Sequence, residues 1–432
     1  MEIYDPAELF SRDQIESIQI TRLKSTIEQA RKCTFYRNRL DEAGITSDSI
    51  KDTSDIRKIP FTTKQDLRDQ YPMGLLTVPT SEIVRMHCSS GTTGTPVAIC
   101  HTANDLNWWS DIMARCMYMV GVRKTDVFQN MSGYGLFTGG LGIHYGAERL
   151  GCLTIPAGAG NTKRQIKLAK DFHTTVAHIL PSYALIVGER LREMGEDPRD
   201  FPLRIALVGA EPYSEEFRKR IEELFDMKVY NSYGLSEMNG PGVGFECLEQ
   251  AGLHIFEDAY LPEIVDPDTG LPVPDGVIGE LVMTSLCRQG MPILRYRTRD
   301  LTRFIPEPCA CGRQHRRMDR ILGRADDMFI IKGVNIYPMQ IEHVIMTFAE
   351  VGKNYLIQLE NNGLGDVLRV KVEIRDEYFV EDMRHLHKIQ QKIANAIKAE
   401  ILVTPQVELV ESNSIPLSEG KAVRVKDLRN QK

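Results

Sequence analysis

Long uncharged hydrophobic runs are missing from this sequence. Its most apolar windows, such as Trp108 to Val122, are broken by charges, here Asp111 and Arg115, whereas a membrane-spanning helix needs about twenty nearly uncharged residues. The opening residues Met1-Glu-Ile-Tyr-Asp-Pro6 lack the basic start and apolar stretch of a secretory signal. Basic residues are not gathered into a stripe. Lys and Arg number 53 against 59 Asp and Glu, for a net charge of -6, so neither nucleic acid nor an anionic membrane finds an electrostatic partner. No repeat or low-complexity tract is present, which excludes solenoids and extended disorder. No Gly-x-Gly-x-x-Gly opens a helix after a strand, which argues against a nicotinamide enzyme. The nine cysteines are odd in number and scattered, so a disulfide framework is not expected. Together these absences predict a cytoplasmic protein with no membrane or nucleic-acid partner.

What is present is an ordinary globular composition, 42% hydrophobic and 26% charged over 432 residues, long enough for two or three domains. Helical spacing of Ile15, Ile18, Leu23 and Ile27 among many charges predicts surface helices between Asp13 and Leu40. Ser81 to Cys88 and Pro96 to Thr102 read as two short strands around the loop Ser89-Ser-Gly-Thr-Thr-Gly-Thr95. Further on, the buried-strand patterns Leu203–Val208 and Lys228–Tyr230 alternate with a helical one, Glu215–Phe225. This alternation predicts an α/β fold built on a largely parallel sheet. Pro- and Gly-rich turns near Asp266 to Gly276 then announce antiparallel strands, Gly279 to Thr284 among them. After Asp326-Asp327 the pattern becomes a strand and turn at Phe329 to Tyr337, a helix from Pro338, strands at Tyr355–Leu359 and Leu368–Ile374, and a charged helix from Glu381 to Ile401. That is the pattern of a small separate α+β domain. The expected division is 1–325 for the large N-terminal domain and 326–432 for the small C-terminal one.

The loop Ser89, Ser90, Gly91, Thr92, Thr93, Gly94 offers hydroxyls and glycine-permitted turns that let several donors converge on phosphate oxygens. It lacks the lysine and following helix of a P-loop, and its plainer reading, taken alone, is a hairpin loop rich in turn formers. It has companions: Tyr233-Gly-Leu-Ser-Glu237, Tyr296-Arg-Thr-Arg-Asp300, Gly323-Arg-Ala-Asp-Asp327, Ile331-Lys-Gly-Val-Asn-Ile-Tyr-Pro338 and Ser418-Glu-Gly-Lys421. In this order they resemble the adenylate-forming superfamily. The segments Tyr134 to Glu148 and Tyr233 to Val243 narrow the resemblance to the phenylacetate-CoA ligase family, from about residue 10 to the C-terminus.

The resemblance implies an enzyme that adenylates an aryl acid with ATP and Mg²⁺ and passes the acyl group to coenzyme A, often as a homodimer. The Ser89 to Gly94 loop would cover the phosphates, although Pro96 is followed by Val97 where many superfamily members carry lysine. Glu237 would hold Mg²⁺, a hard ion that takes carboxylate and phosphate oxygens. Asp300 would accept the ribose hydroxyls, unless it pairs with Arg297, Arg299 or Arg303. Gly209, Ala210, Glu211, Ser232, Tyr233 and Gly234 would frame the adenine, with core packing the other reading of Tyr233. Arg324 and Lys421 would stabilise the charge that develops when a carboxylate attacks the α-phosphorus. Asp326 would be the hinge of a mobile small domain. Tyr134, Phe137, Gly139 and Gly140 would line the acid pocket; no carboxylate lies between Met131 and Tyr145 to pair an amino group.

Cys309-Ala-Cys311 is a tight pair, and Cys247 with His254 makes a second. Three thiolates and an imidazole would complete a tetrahedral structural zinc site, with His315 a rival fourth ligand and unlinked reduced cysteines the plain alternative.

Overall fold

The computed structural model of the chain describes residues 2–89, 96–211, 213–331, 334–361, 366–379, 383–416 and 424–429. Contacts gather the chain into two compact units. The first comprises Met1–Ile179, Phe201–Ala210 and Lys228–Ile321, and the second Leu180–Asp200, Glu211–Met227 and Leu322–Lys432.

In the first unit, helices α1 (Arg12–Ala30), α2 (Thr34–Glu42) and α3 (Lys64–Asp69) come first. Ser11 and Gln14 cap α1 reciprocally, and its Ile15, Leu23 and Ile27 are buried. Strands β1 (Ile83–Cys88) and β2 (Ala98–Thr102) form an antiparallel hairpin with Cys88 opposite Ala98. Both begin about two residues later than the pattern suggested: Thr80–Glu82 is a 3-10 turn, and Pro96 has no N–H for a ladder. Thr102 then caps α4 (Ala103–Met119), exchanging hydrogen bonds with Asp105.

Strands and helices alternate next: β3 (Val127–Asn130), α5 (Thr138–Leu150), β4 (Leu153–Ile155), α6 (Thr162–Asp171), β5 (Val176–His178), α7 (Pro181–Glu193), β6 (Ile205–Gly209), α8 (Glu215–Phe225) and β7 (Lys228–Tyr233). Five of these strands pair in parallel in the order β4-β3-β5-β6-β7. After β7 the chain turns antiparallel through β8 (Gly244–Glu246), β9 (Leu253–His254), β10 (Tyr260–Val265), β11 (Gly279–Ser285), β12 (Tyr296–Thr302), β13 (Phe304–Ile305) and β14 (Arg317–Met318). Among the described residues the largest sheet has nine strands, ordered β13-β14-β9-β8-β7-β6-β5-β3-β4. Strands β10, β11 and β12 pair antiparallel in a second sheet. One continuous core, from Leu23 through Trp109, Phe128, Leu207 and Phe245 to Leu281, underlies both. The parallel part followed by an antiparallel part is the α/β architecture expected from the pattern.

Helix α5 is rich in glycine, a residue that costs about 0.5–1 kcal/mol in a helix relative to alanine. Close packing explains it. A Cβ on Gly146 would lie 2.4 Å from Met113 Cβ, and one on Gly142 would lie 2.4 Å from the Trp109 ring. The glycines thus let α5 lie against α4.

In the second unit, α7 and α8 group with β15 (Gly323–Arg324), the hairpin β16 (Phe329–Ile331) and β17 (Val334–Ile336), α9 (Pro338–Met346), β18 (Val351–Asn361), β19 (Asp366–Ile374), α10 (Met383–Ile401), β20 (Gln406–Val410) and β21 (Val425–Asp427). Ile389, Ile393, Ile397 and Ile401 form the buried stripe of α10. Beyond the strands read from sequence, β20 and β21 add parallel to β19 and β18, giving the order β20-β19-β18-β21. Such short strands declare themselves only when a longer neighbour offers an edge. No described helix is long and apolar enough to cross a membrane.

Glu342 of α9 is a buried carboxylate of this unit. It accepts hydrogen bonds from the Ser214 N–H at 2.9 Å and from the Tyr355 hydroxyl. Burial raises its pKa above the ordinary 4.5. The folded state therefore keeps a proton that the unfolded chain has released, and this site's contribution to stability falls as pH rises through the window above the unfolded value. Glu342→Gln should remove that contribution: the stability difference between wild type and variant, followed by thermal unfolding from about pH 4 to about pH 8, should move in favour of the variant as pH rises. A pH-independent difference would disprove it.

Candidate active site

The carboxyl-terminal edge of the parallel strands supplies one wall of the site. Strand β6 ends at Gly209, where a Cβ would lie 2.3 Å from the Ser232 carbonyl oxygen, so a side chain there would push β6 and β7 apart. Ala210 follows with φ +67°. Ser232 is buried, and among the described residues its hydroxyl has no protein partner. The Tyr233 hydroxyl donates to Asp300 Oδ2 at 2.5 Å, and the Asp300 N–H donates to Thr298 Oγ1 at 3.0 Å. Tyr233 thus packs partly against the core and also serves Asp300. The neighbouring arginines engage other carboxylates: Arg297 and Arg299 meet Glu280, and Arg303 meets Asp319.

Gly234 sits in a tight turn, where a Cβ would lie 2.7 Å from the Cα atoms of Gly240 and Pro241. This turn carries Glu237, which is buried and accepts the Tyr296 hydroxyl at 3.2 Å. Its backbone carbonyl accepts Arg288 Nη1 at 2.6 Å. Strand β12 therefore touches both Glu237, through Tyr296, and Tyr233, through Asp300. Thr138 at the start of α5 lies 3.4 Å from Ser236, hydroxyl to hydroxyl, which brings the glycine-rich helix to the same turn.

The loop before α5 holds Tyr134, half-buried, and Phe137, 54% exposed. Phe137 is not a core residue. Beneath the loop, Ser132 bridges Asn130 Oδ1 and His178 Nδ1 at 3.0 and 2.9 Å, and burial pushes the His178 pKa down to about 4. Gly139 and Gly140 differ in their surroundings. A Cβ on Gly139 meets nothing within 4 Å, whereas one on Gly140 would strike the Gly133 carbonyl at 2.4 Å. Ser89 closes the base of the first hairpin with Val97, through Ser89 N–H to Val97 O at 2.9 Å and Val97 N–H to Ser89 Oγ at 3.2 Å. Ser90, Gly91, Thr92, Thr93, Gly94 and Lys421 lie outside the described residues.

The remaining expected residues belong to the second unit. Glu211 accepts the N–H and hydroxyl of Ser182 at 3.2 and 2.9 Å. The Arg324 guanidinium holds Asp326 in a fork, with both N···O distances 2.9 Å.

The sulfur ligands converge. The donor atoms of Cys247, His254, Cys309 and Cys311 lie within 4.8 Å of one another, with Cys247 Sγ 3.6 Å from Cys309 Sγ and Cys311 Sγ 3.4 Å from His254 Nε2. His315 is not in this group: its Nδ1 accepts the Glu257 N–H at 3.0 Å. The hydrogen bond from Cys247 holds the Cys311 thiol low, at about 2, and the same interaction drives Cys247 upward. Three thiolates cannot all ionise this close together without a cation. Arg313, just beyond Cys311, reaches Glu8 at 2.6 Å, and Arg115 pairs with Asp258 at 3.0 Å, so a buried charge network clamps the N-terminal turn onto the cysteine loop.

Sequence reasoning missed Arg288, Tyr296 as the partner of Glu237, and the His144–Glu148 pair described below. The last was legible as an i,i+4 pair on a helix; the other two are long-range contacts without a local signal.

The parallel sheet with its antiparallel continuation and the small α+β part is the fold of an adenylate-forming enzyme. The AMP-binding enzyme profile matches residues 24–287, and the AMP-binding enzyme C-terminal domain profile matches 333–429. The chain is 44% identical to a phenylacetate-coenzyme A ligase from Thermus thermophilus, over 99% of this chain and all of that one. It is equally similar, over 99% and 98% of the two chains, to the phenylacetate-coenzyme A ligase of Escherichia coli. A crystal structure of 2-hydroxyisobutyryl-CoA ligase in a postadenylation state superposes with a TM-score of 0.92 at 29% identity, covering 98% of this chain and 91% of that one. The chain belongs to the phenylacetate-CoA ligase family. It is an AMP-forming acid–CoA ligase, which activates an acid to an acyl-adenylate with ATP and transfers the acyl group to coenzyme A.

Gly139 and Gly140 supply a prediction. Gly140→Ala should cost about 1–3 kcal/mol through the clash with Gly133, while Gly139→Ala should leave urea-unfolding stability within about 1 kcal/mol of wild type or raise it. Equal behaviour of the two variants would contradict the packing described.

Proposed function

We propose that the acid is an aryl acid, phenylacetate first, and that the chain works as a cytoplasmic homodimer. The supporting observation is similarity along nearly the whole chain to enzymes named for that substrate. The carboxylate-free stretch from Met131 to Tyr145 favours an acid without an amino group.

In this reading the Ser89 to Gly94 loop and Arg324 meet the ATP phosphates. Gly209, Ala210, Glu211, Ser232, Tyr233 and Gly234 frame the adenine, and Asp300 takes the ribose hydroxyls. The tyrosine hydrogen bond favours this role, because it fixes the carboxylate in place at the edge of the parallel strands. Glu237 holds Mg²⁺, which neutralises phosphate charge as the acid's carboxylate attacks. Tyr134, Phe137, Gly139 and Gly140 border the ring. Lys421 stabilises the adenylation transition state, and residues 326–432 act as the mobile domain turning at Asp326. The Arg324–Asp326 fork is half-exposed and worth about 0–1 kcal/mol, weak enough to break during such a turn.

The test is to incubate enzyme, Mg-ATP and coenzyme A with aryl and aliphatic acids and to follow AMP, pyrophosphate and acyl-CoA mass. Phenylacetate should exceed short aliphatic acids in kcat/KM by at least about tenfold, since each buried methylene contributes about 0.8 kcal/mol. Formation of ADP and phosphate would overturn the mechanism. Lys421→Ala should abolish adenylate formation but largely spare thioester formation from supplied acyl-adenylate; equal loss of both would remove the lysine from its role.

The cluster of Cys247, His254, Cys309 and Cys311 suits Zn²⁺, which in such a set has no open position and serves structure. It would tie the turn between β8 and β9 to the loop between β13 and β14. Protein purified without chelator should carry about one zinc per chain, and stripping it should lower the unfolding temperature. Less than about half an equivalent, lost without effect on unfolding, would argue against the site.

A further inference from the structure

Tyr134 begins a chain of three titratable side chains. Its hydroxyl lies 3.0 Å from His144 Nδ1, and His144 Nε2 lies 3.1 Å from Glu148 Oε1. The second link is one turn of α5, since the two residues are four apart. An ionised carboxylate only accepts, so Nε2 carries the hydrogen; in the neutral ring Nδ1 is then the acceptor, and the Tyr134 hydroxyl donates to it. The tyrosine oxygen also meets the Asn130 side chain, and a phenolic oxygen that accepts one hydrogen bond still has a lone pair for a further donor. The chain ends at solvent: Tyr134 is half-buried, the His144 side chain is 14% exposed and that of Glu148 is 50% exposed. A proton taken at the loop therefore has a route to solvent. The other groups around the imidazole are Tyr145, edge-on at 5.3 Å, and Arg85, whose guanidinium lies over the Tyr145 ring. Arg149 is turned toward Asp111.

The reaction needs such a route. Thiols have pKa values near 8.5, so only about a few per cent are ionised near pH 7, and attack on the acyl-adenylate requires loss of the S–H proton. The loop that carries Tyr134 runs into the helix start tied to the Glu237 turn.

We propose that Tyr134, His144 and Glu148 form a proton relay for the thiol half-reaction, with Tyr134 meeting the thiol; this rests on the assignment of Tyr134 to the acid pocket. The S–H proton passes to Tyr134 Oη as Tyr134 gives its own proton to His144 Nδ1. The sulfur forms a C–S bond at the acyl carbonyl carbon, the C–O bond to the adenylate phosphate breaks, and AMP leaves with that electron pair. The imidazolium, paired with Glu148, then releases its extra proton to water. Tyr134 is the catalytic residue of this step, and His144 and Glu148 act through it.

The experiment measures each half-reaction of the full-length enzyme separately: ATP–pyrophosphate exchange with phenylacetate, and the single-turnover rate of thioester formation when coenzyme A is mixed with enzyme-bound acyl-adenylate. His144→Gln should slow thioester formation by about 100-fold at pH 7, within the range for general base catalysis, and leave exchange within about threefold. Its thioester rate should climb about tenfold per pH unit toward the thiol pKa, where wild type is flatter. Glu148→Gln, on the half-exposed side, covers the case of a misfolded His144 variant. It should slow the same step by about tenfold, with recovery in Glu148→Asp. Equal loss in both half-reactions, an unaltered pH profile, or a change confined to the KM for the acid would overturn the relay. If wild-type enzyme exchanges pyrophosphate with other acids but not with phenylacetate, the acid assignment fails instead; the relay is then measured with the acid that exchanges.

Discussion

The hydrogen bond from Tyr233 to Asp300 joins the two sheets on which the site is built. Tyr233 ends the last parallel strand, Asp300 lies in the antiparallel sheet, and the 2.5 Å contact fixes one against the other. A hydrogen bond to a charged group contributes about 1.5–3 kcal/mol. Its larger effect is geometric, because Tyr296 on the same strand as Asp300 touches Glu237. One strand thereby sets the positions of both carboxylates.

Glycine makes the second contribution. The close approaches at Gly142 and Gly146 let α5 lie flat on α4, while Gly139 faces open space. One short glycine-rich run thus seals the core on one side and leaves room on the other. The same helix carries His144 at its middle and Glu148 in its last turn, so close packing and the proposed proton path share one element.

A buried charge cluster also lies beside the cysteines. Glu8, Arg115, Asp258 and Arg313 form ion pairs beside the cysteine cluster, where losing one partner of a buried pair costs about 3–5 kcal/mol. Such a network punishes alternative arrangements of the Cys309–Cys311 loop, which explains how two short, irregular connections can hold four donors within 4.8 Å.

The sequence by itself determined the order of elements and which side chains are chemically able to hold a ligand. Period-two and period-3.6 apolar spacing distinguished the alternating strands and helices from the antiparallel strands after β7, and ordered motifs marked Glu237, Asp300 and the cysteine pairs, because these signals are local. It left open whether Tyr233 is core or site, whether Asp300 meets arginines, and whether His254 or His315 joins the cysteines. Only the tertiary structure showed the contacts: Tyr233 packs against the core and also bonds Asp300, Arg297 and Arg299 turn to Glu280, and His315 turns to the Glu257 backbone. Each depends on which partner arrives from tens or hundreds of residues away, and a side chain with several chemically acceptable partners takes the one that the packed backbone brings within about 3 Å.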